Sequence, residues 1–260
     1  MKIISAPTEI RWLITNKCNL NCRHCLVSGL RNEAELSPKE IKAIIKQIIE
    51  LKVFKVFISG GEPLLRNDFF SIIDALSKAK VKLSLFTNGT LITKDIAKRL
   101  AGYRIKSYHV SLESASAAVH DAIRGKGSFL KTIKGIKNLV VQGCPVTIAA
   151  TMTHSNYRDA EKLILLGKRL GTRRVQLVEL MYIGNASRNF KSLAISSEER
   201  FELLSRVREL KIKYGDFITG SISKHIRRSN ILKLGAKLNF PLETGHCPAG
   251  KEQCAIRPDG

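Results

Sequence analysis

Three cysteines, Cys18, Cys22 and Cys25, lie within eight residues of the chain. They follow directly on an apolar run at 9–15 that is typical of a strand, so they belong to the loop at the carboxyl end of that strand. In parallel α/β barrels this is the face on which active sites are built. The chain shows no export signal, and clustered cysteines in such a chain favour metal binding over disulfides.

Two kinds of metal centre are compatible with these cysteines. A structural zinc ion requires a fourth ligand in a closed tetrahedron, and His24 is poorly suited because Cys25, next to it, already binds the metal. A [4Fe–4S] cluster on three cysteines leaves one iron open, and the amino and carboxylate groups of an exogenous ligand can chelate that iron. From the cysteines alone, zinc and a simple electron-transfer cluster remain alternatives.

A second motif, Ser59-Gly60-Gly61-Glu62-Pro63, ends the next predicted strand. Glycines allow close backbone approach, and carbonyl and carboxylate oxygens accept hydrogen bonds from an ammonium group. Together, the C-x3-C-x2-C spacing and a Gly-Gly-Glu-Pro motif one βα unit later resemble the radical S-adenosylmethionine (radical SAM, AdoMet) enzymes. The resemblance covers about residues 8–215.

The resemblance implies a site for the family's two cofactors, a [4Fe–4S] cluster and AdoMet. The implied cluster ligands are Cys18, Cys22 and Cys25. The implied AdoMet contacts are the backbone of His24, the segment Gly60, Gly61 and Glu62, and the residues Asn88, Ser111, Arg124 and Ile183. Among these, Arg124 would face the AdoMet carboxylate, since a guanidinium pairs with a carboxylate through two hydrogen bonds.

The resemblance also implies the reaction. In the family the reduced cluster passes an electron to AdoMet, which gives methionine and a 5′-deoxyadenosyl radical that abstracts a hydrogen from the substrate. The chain is therefore expected to be an oxidoreductase of maturase type. No general acid or base is assigned.

Short apolar runs alternate with stretches of helical period, the pattern of βα units around a parallel sheet. Strands are predicted at 9–15, 54–59, 81–87, 107–112, 145–152 and 174–180. Helices are predicted from Pro38 onward and at 68–79, 93–101, 129–142, 157–170 and 197–213. The first helix has a capping box at Ser37 and Glu40, and its predicted inward stripe is Ile41, Ile44, Ile45, Ile48 and Ile49. The expected fold class is α/β, a partial (β/α)6 TIM-like barrel.

The end of the chain carries a second resemblance. Cys247-Pro-Ala-Gly and Ile256-Arg-Pro-Asp-Gly resemble the opening of the SPASM and Twitch extensions, which bind auxiliary iron–sulfur clusters. We therefore predict a core at 1–215, followed at 216–260 by a basic linker and the stub of such an extension. Cys247 is a candidate auxiliary ligand only in a longer chain. Cys254 is either a ligand of a tail cluster or a free buried thiol, and we expect the thiol. Cys144 is expected to be a small apolar core residue.

Composition limits the classes of partner. The 260 residues are 44% hydrophobic and carry 44 Lys and Arg against 22 Asp and Glu, a net charge of +22. No apolar run approaches the roughly 20 residues that span a bilayer, so we expect a cytoplasmic protein without a membrane partner. The expected partners are a peptide or small-molecule cofactor precursor as substrate and a low-potential electron donor of ferredoxin or flavodoxin type. The alternatives are an RNA-modifying radical enzyme, which the charge favours, and a non-catalytic iron–sulfur carrier. Nucleic acid is not an expected partner, because the sequence contains no recognisable RNA-binding module and its basic residues are spread over the helices.

Overall fold

The computed structural model describes residues 6–220, 222 and 253–260. In this part of the chain, eight strands form one sheet in the order β7-β6-β5-β4-β3-β2-β1-β8, and all neighbours are parallel. The strands are β1 (Glu9–Leu13), β2 (Lys55–Ser59), β3 (Lys82–Thr87), β4 (Ile105–Ser111), β5 (Val146–Met152), β6 (Arg174–Glu179), β7 (Ile218–Gly220) and β8 (Gln253–Ile256). The six predicted strands and the α/β partial barrel are thereby confirmed.

Helices connect successive strands. They are α1 (Pro38–Glu50), α2 (Phe69–Lys78), α3 (Lys94–Ala101), α4 (Ala117–Arg124), α5 (Ser128–Val141), α6 (Ala160–Arg169), α7 (Asn185–Arg188), α8 (Phe190–Leu193) and α9 (Ser197–Tyr214). All six predicted helices are confirmed, whereas α4, α7 and α8 were not predicted. Among the described helices, none combines the length and the hydrophobicity that crossing a bilayer requires.

Helix α1 shows how the sequence sets an element in place. The Ser37 hydroxyl accepts a hydrogen bond from the backbone N–H of Glu40, and the Glu40 carboxylate accepts one from the backbone N–H of Ser37, so the predicted capping box forms. Ile41, Ile45 and Ile48 are buried and Ile44 packs partly buried against the core. Ile49 is 43% exposed, so its predicted inward position is wrong. Eight residues after Ile41 the helix has turned about 80° past it, which places Ile49 at the edge of the stripe.

The two faces of the sheet differ in chemistry. One face is apolar and packs against the helices. Trp12, Ile58 and Leu85 lie on this face and belong to a single continuous core. The alternate residues, which point to the opposite face, include His109. Its ring stacks on Phe86 with 4.3 Å between centroids, and its Nδ1 lies 3.2 Å from Oε1 of Gln176. The inner face of the partial barrel therefore combines polar side chains with the aromatic rings of Phe57 and Phe86.

Strand β8 forms the sheet edge beside β1, in a register that runs from Glu9 opposite Gln253 to Trp12 opposite Ile256. Cys254 is exposed, so its expected burial is wrong, because an edge strand lacks a neighbour on one side. Both β7 and β8 lie beyond residue 215, and the division into 1–215 and 216–260 stays a prediction. Cys247 and the basic linker lie outside the described residues.

Candidate cofactor site at the carboxyl ends of the strands

The Gly-Gly-Glu turn after β2 packs on the backbone that enters the cysteine loop. The N–H of Gly61 donates to the Thr15 carbonyl at 2.7 Å, and the N–H of Glu62 donates to the Lys17 carbonyl at 2.7 Å. A Cβ on Gly60 would overlap the Thr15 carbonyl oxygen, and one on Gly61 that of Lys17. The two glycines thus allow the turn to hold the start of the cysteine loop.

Glu62 joins the turns that follow β2 and β3. Its carboxylate is fully buried and accepts hydrogen bonds from the Thr87 hydroxyl at 2.8 Å, the Asn88 N–H at 2.8 Å and the Leu64 N–H at 3.3 Å. Burial raises the pKa of Glu62 to about 7, against these hydrogen bonds, which favour the ionised form. The carboxylate therefore has a structural role within the chain.

Asn88 extends this connection to the cysteines. Its side-chain amide donates to Oδ1 of Asn19 at 2.9 Å and lies 3.9 Å from Sγ of Cys18. Its carbonyl accepts a hydrogen bond from the Thr132 hydroxyl on α5 at 2.9 Å. The turn after β3 is thereby fixed between the cysteine loop and a helix.

The three thiols are held in a buried environment. Cys22 is buried, while Cys18 and Cys25 are half-buried. Burial raises the pKa of the Cys22 thiol to about 11 and also raises that of Cys18, so the thiolates that bind metal need a nearby cation to form. Bound iron is such a cation. It is the donor set itself, three cysteine sulfurs in one loop, that fits an iron–sulfur centre.

The arrangement of the thiols bears on the kind of centre. Within the described residues, no three His, Cys, Asp or Glu side chains converge on a single metal ion. Ligands of one zinc ion would have to converge, since each lies within about 2.3 Å of it. A cluster binds its cysteines through different iron atoms, so its ligands do not have to meet at one point.

Glu113, two residues after β4, is the ionic centre of the site. It is fully buried, lies 2.6 Å from Nη2 of Arg124, and accepts a hydrogen bond from the Thr151 N–H at 2.6 Å. Burial alone would raise the pKa of Glu113, but the Arg124 charge, the His24 ring and the hydrogen bonds from both together outweigh burial and hold the pKa well below its usual range. Nη1 of Arg124 also lies 3.8 Å from Sγ of Cys22. Arg124 is thus paired within the chain beside the thiols.

His24 lies against the same ion pair. Its Nε2 is 3.4 Å from Oε1 of Glu113, and its buried Nδ1 has no hydrogen-bond partner among the described residues. Ser111, the last residue of β4, is half-buried and lies opposite Ala149 of β5. His24 therefore lies beside the thiols, as Arg124 does. Ser111 lies at the carboxyl end of a neighbouring strand.

The segment after β6 holds the outer side of the cysteine loop. The N–H of Asn185 donates to the Cys25 carbonyl at 2.9 Å, and its side-chain amide donates to the Cys22 carbonyl at 3.0 Å. A Cβ on Gly184, whose φ is +62°, would crowd the Cys25 carbonyl. Ile183, which directly precedes Gly184 in the chain, is 54% exposed.

Two residues important to the site were not singled out from the sequence. For Glu113 the available signal was an acidic residue directly after a predicted strand and eleven residues before Arg124. Asn185 contacts the Cys22 carbonyl across 163 residues of sequence, and no local pattern marks such a contact. The other site residues were named from the sequence, and their roles toward the cofactors stay predictions.

Residues 12–167 match the model of the radical SAM superfamily. The chain therefore belongs to the radical SAM superfamily, and its cofactors are the family's [4Fe–4S] cluster and AdoMet. Its relatives place it in the SPASM/Twitch-type branch of these enzymes.

Two individual proteins show how similar the chain is to known members of the superfamily. The chain is 32% identical over 259 residues to the mycofactocin maturase MftC of Mycobacterium tuberculosis, covering 99% of this chain and 64% of that protein. It is 35% identical over 170 residues to the AdoMet-dependent heme synthase of Methanosarcina barkeri, covering 64% of this chain and 49% of that protein. The chain thus spans less than two thirds of the length of either relative.

Solved structures share the fold. Streptococcus suis SuiB bound to the precursor peptide SuiA superposes with a TM-score of 0.78 at 18% identity, covering 98% of this chain and 58% of that one. Native anSMEcpe with bound AdoMet superposes with a TM-score of 0.73 at 18% identity, covering 98% of this chain and 73% of that one. At these identities the likeness shows the fold alone.

Proposed function

We propose that this chain is the catalytic core of a cytoplasmic maturase-type oxidoreductase that cleaves AdoMet and abstracts hydrogen from a peptide or small-molecule cofactor precursor. The observation that carries the proposal is the packing of the cysteine loop: turns after β2, β3 and β6 all hold it, through Gly61, Asn88 and Asn185. The identities to a mycofactocin maturase and a heme synthase support the substrate class.

When bound, the cluster supplies one electron that splits AdoMet into methionine and a 5′-deoxyadenosyl radical, which takes a hydrogen from the substrate. The chain's own part is to bind, orient and exclude water. We assign the iron to Cys18, Cys22 and Cys25. The AdoMet contacts are assigned to His24, Gly60, Gly61, Glu62, Asn88, Ser111, Arg124 and Ile183.

The hydrogen bonds of the site qualify two of these roles. Both Glu62 oxygens accept hydrogen bonds from the protein. Glu62 would therefore act mainly by orienting the backbone that contacts the AdoMet amino group, and less by accepting a hydrogen bond from that group itself. Arg124 is neutralised by Glu113, so it offers its remaining N–H groups rather than a free charge. Electrons come from a low-potential donor of ferredoxin or flavodoxin type.

The net charge of +22 supports one other candidate, an RNA-modifying radical enzyme. A non-catalytic iron–sulfur carrier is disfavoured, because it would not require the Gly-Gly-Glu-Pro turn.

The decisive experiment is anaerobic reconstitution with iron and sulfide, followed by reduction with dithionite in the presence of AdoMet. We expect one oxygen-sensitive cluster per chain, a change in its electron paramagnetic resonance signal on adding AdoMet, and slow formation of 5′-deoxyadenosine without substrate. Cys22→Ala should abolish all three results. Cys254→Ala, at an exposed thiol on the sheet edge, is the matched control and should retain them. A normal reduced-cluster signal in Cys22→Ala would refute the assignment.

A further inference from the structure

The surface around the cysteine loop carries cations without carboxylates. Three segments meet there, residues 17–31, 123–127 and 181–195, and none of them contains Asp or Glu. Their exposed cations are Lys17, Arg23, Lys126, Arg188 and Lys191. We call the last four of these residues, with the exposed Leu26 and Phe190, the cysteine-loop face.

Hydrogen bonds show that the three segments form one surface. The N–H of Arg23 donates to the Ile123 carbonyl at 2.8 Å, which joins the loop to the end of α4. The side-chain amide of Asn189 donates to the Arg23 carbonyl at 3.1 Å, and the Arg23 guanidinium donates to the Ser192 hydroxyl at 2.8 Å. The segment that carries α7 and α8 therefore packs directly on the loop that carries the thiols.

The charge of this face is not balanced locally. Within the described residues, none of its four cations forms an ion pair, whereas other Arg residues of the chain do: Arg124 pairs with Glu113, Arg200 with Glu179 and Arg206 with Glu161. A chain of +22 must leave many cations unpaired. This face differs from a general excess of charge because its three segments contain no Asp or Glu. The carboxylate that touches them beside Lys126 is that of half-buried Asp121, which accepts a hydrogen bond from the Gly127 N–H at 2.6 Å.

The face also has exposed apolar side chains. Leu26 is 51% exposed and Phe190 is 48% exposed, and the Phe190 ring packs edge-on against Tyr182 with 4.8 Å between centroids. Apolar residues with charged neighbours are typical of protein–protein interaction sites. Charge complementarity requires that the partner be acidic.

We propose that the cysteine-loop face is the docking site of a small acidic one-electron carrier protein. The proposal rests on the proposed function, which requires an electron at the cluster. On docking, the carrier is oxidised by one electron and the cluster is reduced by one, and no bond is made or broken. The face suits this transfer because Arg23 follows Cys22 directly in the loop that carries the thiols, and the side chains of Asn189 and Ser192 contact Arg23.

The test compares two charge-reversal variants with reduced flavodoxin as the probe. Arg188→Glu/Lys191→Glu alters the face at positions that bind neither cofactor. Arg104→Glu/Lys106→Glu makes the same change in charge at the amino end of β4, the opposite end of the sheet from the site. Three quantities are measured on cluster-loaded protein: the affinity for oxidised flavodoxin by calorimetry, the rate of cluster reduction by reduced flavodoxin, and the rate of reduction by reduced methyl viologen.

We expect the face variant to lose at least about tenfold in flavodoxin affinity and reduction rate at low salt, because steering by complementary charge raises association rates by roughly 10 to 10³. Methyl viologen, a small cation, should reduce it no more slowly than wild type. The control variant should match wild type throughout. Equal losses in both variants, or none in either, would overturn the proposal.

Two further outcomes separate the proposal from its alternatives. If the face variant loses affinity for tRNA but not for flavodoxin, the face binds nucleic acid and the proposal is wrong. If methyl viologen reduces the wild-type cluster but no 5′-deoxyadenosine forms with AdoMet, the proposed function fails. In that case a flavodoxin defect confined to the face variant would still support the docking site.

Discussion

At the scale of residues, the site depends on a buried ion pair rather than on the thiols alone. Glu113 lies 2.6 Å from Arg124, and Arg124 in turn lies 3.8 Å from Cys22. The cysteines could be found from the sequence because their spacing is local. The pairing of Glu113 with Arg124 could not, because it depends on α4 folding back over the end of β4.

We expect Glu113→Gln to lower the free energy of unfolding by about 3–5 kcal/mol, because it leaves Arg124 buried without a counter-charge. The double variant Glu113→Gln/Arg124→Gln should lose less than the sum of the single losses. Chemical denaturation of the apo protein measures both. Glu202→Gln, in the exposed pair with Arg158, is the control and should cost at most about 1 kcal/mol. A Glu113→Gln loss as small as that of the control would contradict this account.

His109 predicts how stability responds to acid. Burial, together with the charges of Lys55 and Arg11, lowers its pKa to about 4 against the Gln176 hydrogen bond, which raises it. The unfolded chain binds the proton near pH 6.5, so between about pH 6.5 and pH 4 protonation favours unfolding, by roughly 3 kcal/mol at the acid end. Above this window His109 contributes no pH dependence.

Replacing His109 by Gln should therefore flatten the loss of stability between neutral pH and about pH 5. Part of the loss should persist, because buried His120 also has a pKa of about 4, for the same reason of burial. Urea unfolding at a series of pH values measures the slope. An unchanged slope in His109→Gln would show that this ring takes up its proton over the same pH range in the folded protein as in the unfolded chain, which would contradict the lowered pKa.

At the scale of elements, the strands and long helices were predictable and the short elements were not. Strands β1 to β6 carry clear apolar runs, and α1 begins at a recognisable capping box. Helices α7 and α8 have four residues each, too few for helical periodicity to show. Strands β7 and β8 are edge strands whose place depends on pairing with β6 and β1. The short helices α7 and α8 nevertheless supply Asn185 and part of the cysteine-loop face.

Helix α5 contacts the turn after β3 through a glycine. A Cβ on Gly135 would overlap the Gly89 carbonyl oxygen, so we expect Gly135→Ala to cost about 1–3 kcal/mol, despite the roughly 1 kcal/mol that Ala gains over Gly inside a helix. Because Asn88 lies in the same turn, cluster loading should fall as well. Gly29→Ala, at a position with open space around it, is the control. Equal stability and iron content in the two variants would contradict this packing argument.

At the scale of the whole molecule, the charge of +22 raises the question of which partner it serves. Basic residues lie on separate helices, for example Lys42 on α1, Lys98 on α3 and Lys134 on α5, and the aromatic residues of the described part do not alternate with them in one patch. RNA-binding surfaces gather cations and aromatic side chains together. The distribution therefore favours general attraction to anions, with the cysteine-loop face as a local exception.

We expect the cluster-loaded protein to bind tRNA weakly and without preference, with a dissociation constant on the order of 10⁻⁴–10⁻⁶ M at physiological salt. Dispersed cations neutralise phosphates without reading bases, so affinity should fall steeply with salt, as counterion release requires. A titration of total cellular tRNA across a salt series measures it, and a peptide precursor with no phosphate serves as the comparison. Tight, saturable binding of a single RNA at physiological salt would contradict this reading of the charge and would make an RNA-modifying enzyme the better account, since a peptide or cofactor maturase has no use for such selectivity.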